Sequence, residues 1–97
     1  MSNFYAVVTR HLPSHHTPVI STVIPAAEEP KDAERDYSGS SIPSWLEFHF
    51  KEAGQKHKDA FCEQLVEFRN ARWMLEVVEV PGTFTKKLPH VVMSVEL

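Results

Sequence analysis

Residues 44–69 read SWLEFHFKEAGQKHKDAFCEQLVEFR, and the fold turns on how this stretch is divided. Its second part, 55–69, has helical periodicity. At 100° per residue Phe61, Leu65 and Phe68 cluster on one side, flanked by Ala60, Gln64 and Arg72. Gly54 marks the break before this helix. The first part admits two readings. Leu46, Phe48 and Phe50 alternate with Glu47, His49 and Lys51, which is a strand pattern. Ser44 with Glu47 also spells a helix capping box. The alternation over 44–51 and its aromatic content favour the strand, with a helix as the alternative.

Outward from this stretch, the chain is rich in strand formers. Residues 3–10 contain Phe4, Tyr5, Val7, Val8 and Thr9, aromatic or β-branched throughout. HLPSHHTP at 11–18 is a connection, and VISTVI at 19–24 is a second strand that Pro25 ends or borders. Their spacing fits a hairpin with a long loop. On the far side, WMLEVVEV at 73–80 is a strand and Pro81-Gly82 a turn. Residues 90–97 alternate, with Val91, Met93, Val95 and Leu97 on one face and His90, Val92, Ser94 and Glu96 on the other. These last two strands read as an antiparallel pair. The sum is a single α+β domain over 1–97: a mostly antiparallel four- or five-stranded sheet packed on one principal helix. The order is βββαββ, or ββααββ if 44–51 is helical. A polar acidic loop at about 26–41 interrupts it, with one helical turn expected around 31–35.

Composition narrows the function. The 97 residues suffice for one core, and 42% apolar with 24% charged content is that of a folded chain. A net charge of −3 disfavours direct binding to nucleic acid and favours a basic partner. The single Cys62 forms no internal disulfide and suits a reducing compartment. With no secretory signal at the start and no apolar run long enough to span a bilayer, a cytoplasmic protein is expected.

No phosphate loop, paired-cysteine metal site or nucleophile motif is present in the sequence. The leading candidate surface is an acidic row: Asp59, Glu63 and Glu67, four residues apart on the predicted helix and opposite its apolar stripe. Four helical residues rise about 6 Å, so the row is about 12 Å long, against about 3.4 Å between phosphates of one DNA strand. Lys56 lies on the same side and dilutes it. Glu28, Glu29, Asp32, Glu34 and Asp36 of the loop would add to the row if they fold nearby. His11, His15 and His16 are the candidate metal ligands, but Pro13 breaks any helical presentation and no carboxylate is close, so no metal site is expected. Cys62, beside Phe61, reads as a small core residue. Trp45 or Trp73 is a candidate interface anchor, and Lys86-Lys87 a solubilising hairpin tip.

In overall profile the chain resembles the small phage- or prophage-encoded inhibitors of the anti-CRISPR type that block type I surveillance complexes. The likeness lies in its length, the α+β pattern, the absence of a chemical motif, and the acidic segments EEPKDAERD (28–36) and Asp59/Glu63/Glu67. That group shares no sequence motif, so no residue role is carried over. The resemblance implies a non-enzymatic inhibitor with no cofactor, in some members a DNA mimic that occupies a basic nucleic-acid-binding surface of a host complex. Two other classes stand beside it: a metal-dependent or cysteine enzyme using His11, His15, His16 or Cys62, and an oligomeric accessory protein that pairs an exposed sheet edge.

Overall fold

A computed structural model describes residues 3–32, 42–82 and 88–97. Four strands and one long helix follow in the order β1 (Asn3–His11), β2 (Val19–Pro25), α1 (Ser44–Gln64), a short 3-10 helix (Val66–Asn70), β3 (Arg72–Val80) and β4 (His90–Glu96). The strands form one antiparallel sheet, ordered β2-β1-β3-β4. Both expected hairpins are present, and the class is α+β. The sheet has four strands.

The strand expected at 44–51 is instead the first two turns of α1. Its alternation was real but incidental, because Leu46 and Phe50 also satisfy an i, i+4 helical spacing. The stripe continues through Ala53, Gly54, His57 and Phe61, and Phe48 is left 67% exposed. The capping box is not formed. Pro43 takes the N-cap position without a side-chain bond, and its carbonyl accepts from Leu46 N and Glu47 N at 3.1 and 3.0 Å. Glu47 instead pairs with Lys51 one turn on, at 3.2 Å.

Nor does Gly54 break the helix. It lies buried in the middle of α1, where a Cβ would sit 2.7 Å from Leu75 Cδ1 and 3.3 Å from Leu97 Cδ1. Glycine costs a helix interior about 1 kcal/mol relative to alanine, and here that cost lets the helix close onto β1, β3 and the chain end. The helix expected over 55–69 stops at Gln64, since Leu65 (φ −125°, ψ 88°) leaves helical geometry. Two contacts favour the tighter path that follows. The Phe68 ring meets Phe61 edge-on at 5.0 Å, and the Phe68 carbonyl accepts from Trp73 Nε1 at 2.9 Å. Leu65, expected on the apolar stripe, is 44% exposed.

The core lies between α1 and one face of the sheet: Leu46, Phe50 and Cys62 from the helix, Ala6 and Val8 from β1, Ile24 from β2, Trp73, Leu75 and Val77 from β3, and Ile42 ahead of the helix. Trp73 is thus a core residue and no interface anchor, and Trp45 is half-buried against the same cluster. In β4 a register shift between Val77 and Val78 places Met93 opposite Val77 but Val91 opposite Val78. The extra residue is Val92, which packs toward the core, while Val91 turns to the other face.

Residues 26–32 of the acidic loop are exposed and carry no helix or strand. The helical turn expected at 31–35 falls largely, and Lys86-Lys87 wholly, outside the described residues. No helix among the described residues is long and apolar enough to cross a membrane.

A strand at 44–51 would put Phe48 and Phe50 on one face, whereas α1 separates them. Phe50→Ala should therefore cost about 3–5 kcal/mol in urea unfolding and Phe48→Ala less than about 0.5 kcal/mol. Gly54→Val should cost about 1–3 kcal/mol by overpacking against Leu75.

Candidate functional site

Because α1 covers one face of the sheet, the side chains of the opposite face have no second layer among the described residues. Strand register gives their arrangement. Ile20, Thr9, Met74 and Glu96 form one cross-strand row; Val23, Val7, Glu76 and Ser94 the next; Pro25, Tyr5, Val78 and Val91 the third. Ordinarily such a face is solvated and polar. This one is mostly apolar, with Ile20 64%, Val23 54% and Val91 50% exposed. In its middle sits Glu76, half-buried and with no hydrogen bond or ion pair among the described residues. The other charges on this face, Arg72 and Glu96, pair with each other at 3.8 Å at the rim.

The acidic row is only partly assembled. Asp59 and Glu63 are exposed on α1, but Glu67 lies on the 3-10 helix beyond the break at Leu65 and leaves the row. Asp59 accepts from Gln55 Nε2 at 2.9 Å, and Lys56 pairs with Glu52 at 3.1 Å. This helix surface is therefore of mixed charge. Asp59 also lines a groove of about 630 Å³ between α1 and the end of β4, whose apolar part is Phe48, Val95 and Leu97. Glu28, Glu29 and Asp32 are exposed in the loop, and Glu34 and Asp36 lie outside the described residues.

No group of three His, Cys, Asp or Glu able to hold a metal occurs among the described residues. His11 donates from Nε2 to the carbonyl of His15 at 2.8 Å, bracing the β1–β2 loop, and His15 and His16 are exposed. Cys62 is buried in the core.

A polar cluster that periodicity did not disclose joins three elements. Arg10 of β1 donates from Nη1 to Ser21 Oγ at 2.7 Å, and Ser21 Oγ lies 2.6 Å from His57 Nε2. The Arg10 guanidinium stacks over Phe61 and Phe68, 4.5 and 5.2 Å from their ring centres. His57 rests against Trp73 and Phe61, each with ring centres 6.0 Å away. Burial, and secondarily the charge of Arg10, lower the His57 pKa below its usual 6.5. With the neutral ring in its Nδ1–H tautomer, Nε2 accepts the Ser21 proton while the serine oxygen accepts from Arg10. A second histidine of α1, His49, donates to the Pro25 carbonyl at 3.2 Å. Eight helical residues rise about 12 Å and four strand residues about 13 Å, so the two histidines bind α1 to edge strand β2 at matched spacing.

Glu76 and the Arg10–Ser21–His57 cluster were both missed in the sequence. Glu76 carried a signal: in WMLEVVEV the residues of both faces are apolar except for two glutamates, so neither face has the composition of a solvated one. Arg10, Ser21 and His57 are separated along the chain and carry no local signal. Comparison with protein-family models, curated proteins and solved structures gives no match.

The depressed His57 pKa fixes the sign of one pH effect. The folded state resists protonating His57, so the stability it contributes is full above pH 6.5 and falls as pH drops from there toward the lower folded-state pKa. Urea midpoints of the wild type should decline over that window, and His57→Gln should flatten that decline.

Proposed function

We propose that this chain is a non-enzymatic protein-binding module that engages a partner through the uncovered face of its sheet. The observation that carries this reading is the apolar face itself, with Ile20, Val23 and Val91 at least half exposed around a central carboxylate. Contiguous exposed apolar surface is a mark of interaction sites in folded proteins. Glu76 specifies the partner's chemistry. Buried without a counter-charge it would oppose association, so the partner presents a Lys or Arg to it within an apolar surface. A second copy of this chain fits less well, because a two-fold axis through the middle of the face sets Glu76 against its symmetry mate.

A net charge of −3 favours encounter with a basic partner. In its narrower form the proposal makes that partner the basic surface of a nucleic-acid-binding complex, and the chain its inhibitor. Asp59 and Glu63 support that form, while the departure of Glu67 and the Lys56–Glu52 pair weigh against imitation of a phosphate row.

The test is comparative capture from a bacterial lysate with the wild type, Val23→Glu, Glu76→Lys and the double variant Asp59→Lys/Glu63→Lys. A partner held by the wild type and the helix double variant, but lost with Val23→Glu and with Glu76→Lys, supports the proposal. A partner lost only with the helix double variant moves the interface to α1. Self-association of the purified wild type that Val23→Glu abolishes makes the occupant a second copy.

A further inference from the structure

Arg10 is the one observation that neither the core nor the open sheet face accounts for. Its guanidinium has five N–H donors. One reaches Ser21 Oγ at 2.7 Å, and no carboxylate of the described residues is in ion-pairing distance. A half-buried charge gives up part of its hydration, which a counter-charge or hydrogen bonds must replace. In a chain with 13 acidic residues against 10 basic ones, the guanidinium is held against two aromatic rings with no counter-ion among the described residues. The rings hold its plane and so fix the direction of its remaining donors before any ligand arrives. His57 and Phe61, together with Ala60 and Gln64, also line a depression of about 200 Å³ that opens to solvent.

We propose that Arg10, Ser21 and His57 bind an oxyanion, a carboxylate or phosphate group carried by a small ligand. Without it, the Ser21 hydroxyl donates to neutral His57 and accepts from Arg10, so the three groups satisfy one another. An anion against the guanidinium stabilises the imidazolium. His57 then takes up a proton and becomes a donor, and the Ser21 hydroxyl is released to turn toward the anion. Arg10 of β1 and Ser21 of β2 then donate to the anion, the first charge-assisted, while His57 of α1 donates to the Ser21 oxygen 2.6 Å away. The groups facing His57 fit this exchange. From β1 comes Arg10, from β2 Ser21 and from β3 the uncharged Trp73; Phe61 lies on its own helix. Lys58, next to it in sequence, is engaged with the Leu97 carbonyl at 2.7 Å. Among the described residues Arg10 is thus the charged group bearing on the ring, and a bound anion offsets it.

Binding is therefore linked to proton uptake, which separates this site from general attraction of anions to a lysine-bearing surface. Sulfate is the probe for a phosphate group, since its charge is constant across the range, and acetate the probe for a carboxylate. Each is titrated at constant ionic strength while the His57 ring and Arg10 side-chain resonances are followed by NMR. The expected result is a saturable shift of both, a rise in the His57 titration midpoint with anion, and tighter binding from about pH 8 to about pH 5.5. Arg10→Met, which keeps the stem over Phe61 and Phe68, should lose the binding. His57→Gln should keep weaker binding with no pH dependence. The stronger of the two probes identifies the anion class. A non-saturable response to both, an unmoved His57 midpoint in the wild type, or equal binding by Arg10→Met overturns the proposal. The readouts on the wild type need no variant to fold.

Discussion

The seating of α1 on the sheet at Gly54 governs the rest of the structure. With no side chain at that position the helix approaches until Leu75, Leu97 and Val8 close around its backbone. This brings Leu46 and Phe50 on one side, and His57 and Phe61 on the other, down onto the strands. The same closeness lets two histidines reach edge strand β2, one to a carbonyl and one to a serine hydroxyl. A helix of 21 residues is about 31 Å long, enough to cross the sheet once. One helix covers one face; on the other, Val78 is buried among its neighbours while Ile20, Val23 and Val91 on the edge strands stay exposed. Fold and proposed function thus have a common cause.

The polar groups follow from that arrangement. No buried side-chain nitrogen or oxygen lacks a partner among the described residues. Of the half-buried charges on the strands, Glu79 lies 3.8 Å from His90, whereas Glu76 on the open face and Arg10 at the end of the helix-covered one have no ion pair among the described residues. Glu76 and Arg10 lie on opposite faces of the same sheet, so a partner docking at Glu76 and an anion docking at Arg10 do not compete for space.

Strands and hairpins were legible because aromatic and β-branched residues cluster at 3–10, 19–24, 73–80 and 90–97 with turn residues between. The helix start was not, since Leu46 and Phe50 satisfy both periods, and only the exposure of Phe48 separates them. The acidic row failed in part because sequence spacing runs on through Glu67 whereas the backbone leaves the helix at Leu65. The path beyond it is favoured by Trp73 capturing the Phe68 carbonyl, a contact made only on folding. Likewise, the simple alternation of 90–97 could not disclose the extra residue at Val92, which a register shift against β3 requires. The open face was half legible, in strands apolar on both sides. The Arg10–Ser21–His57 cluster was illegible, because its members meet only through tertiary structure.

The central claim is that Ile20, Val23 and Val91 on the second face of the sheet lie open to solvent. Solvent paramagnetic relaxation of the methyl groups, measured on the dilute monomer, tests it most directly. The account predicts strong relaxation of the Ile20, Val23 and Val91 methyls, with those of Val8, Leu75 and Val77 spared. Protection of Ile20, Val23 and Val91 to the same degree as Val8 and Leu75 would contradict it, showing the face to be closed by the chain itself.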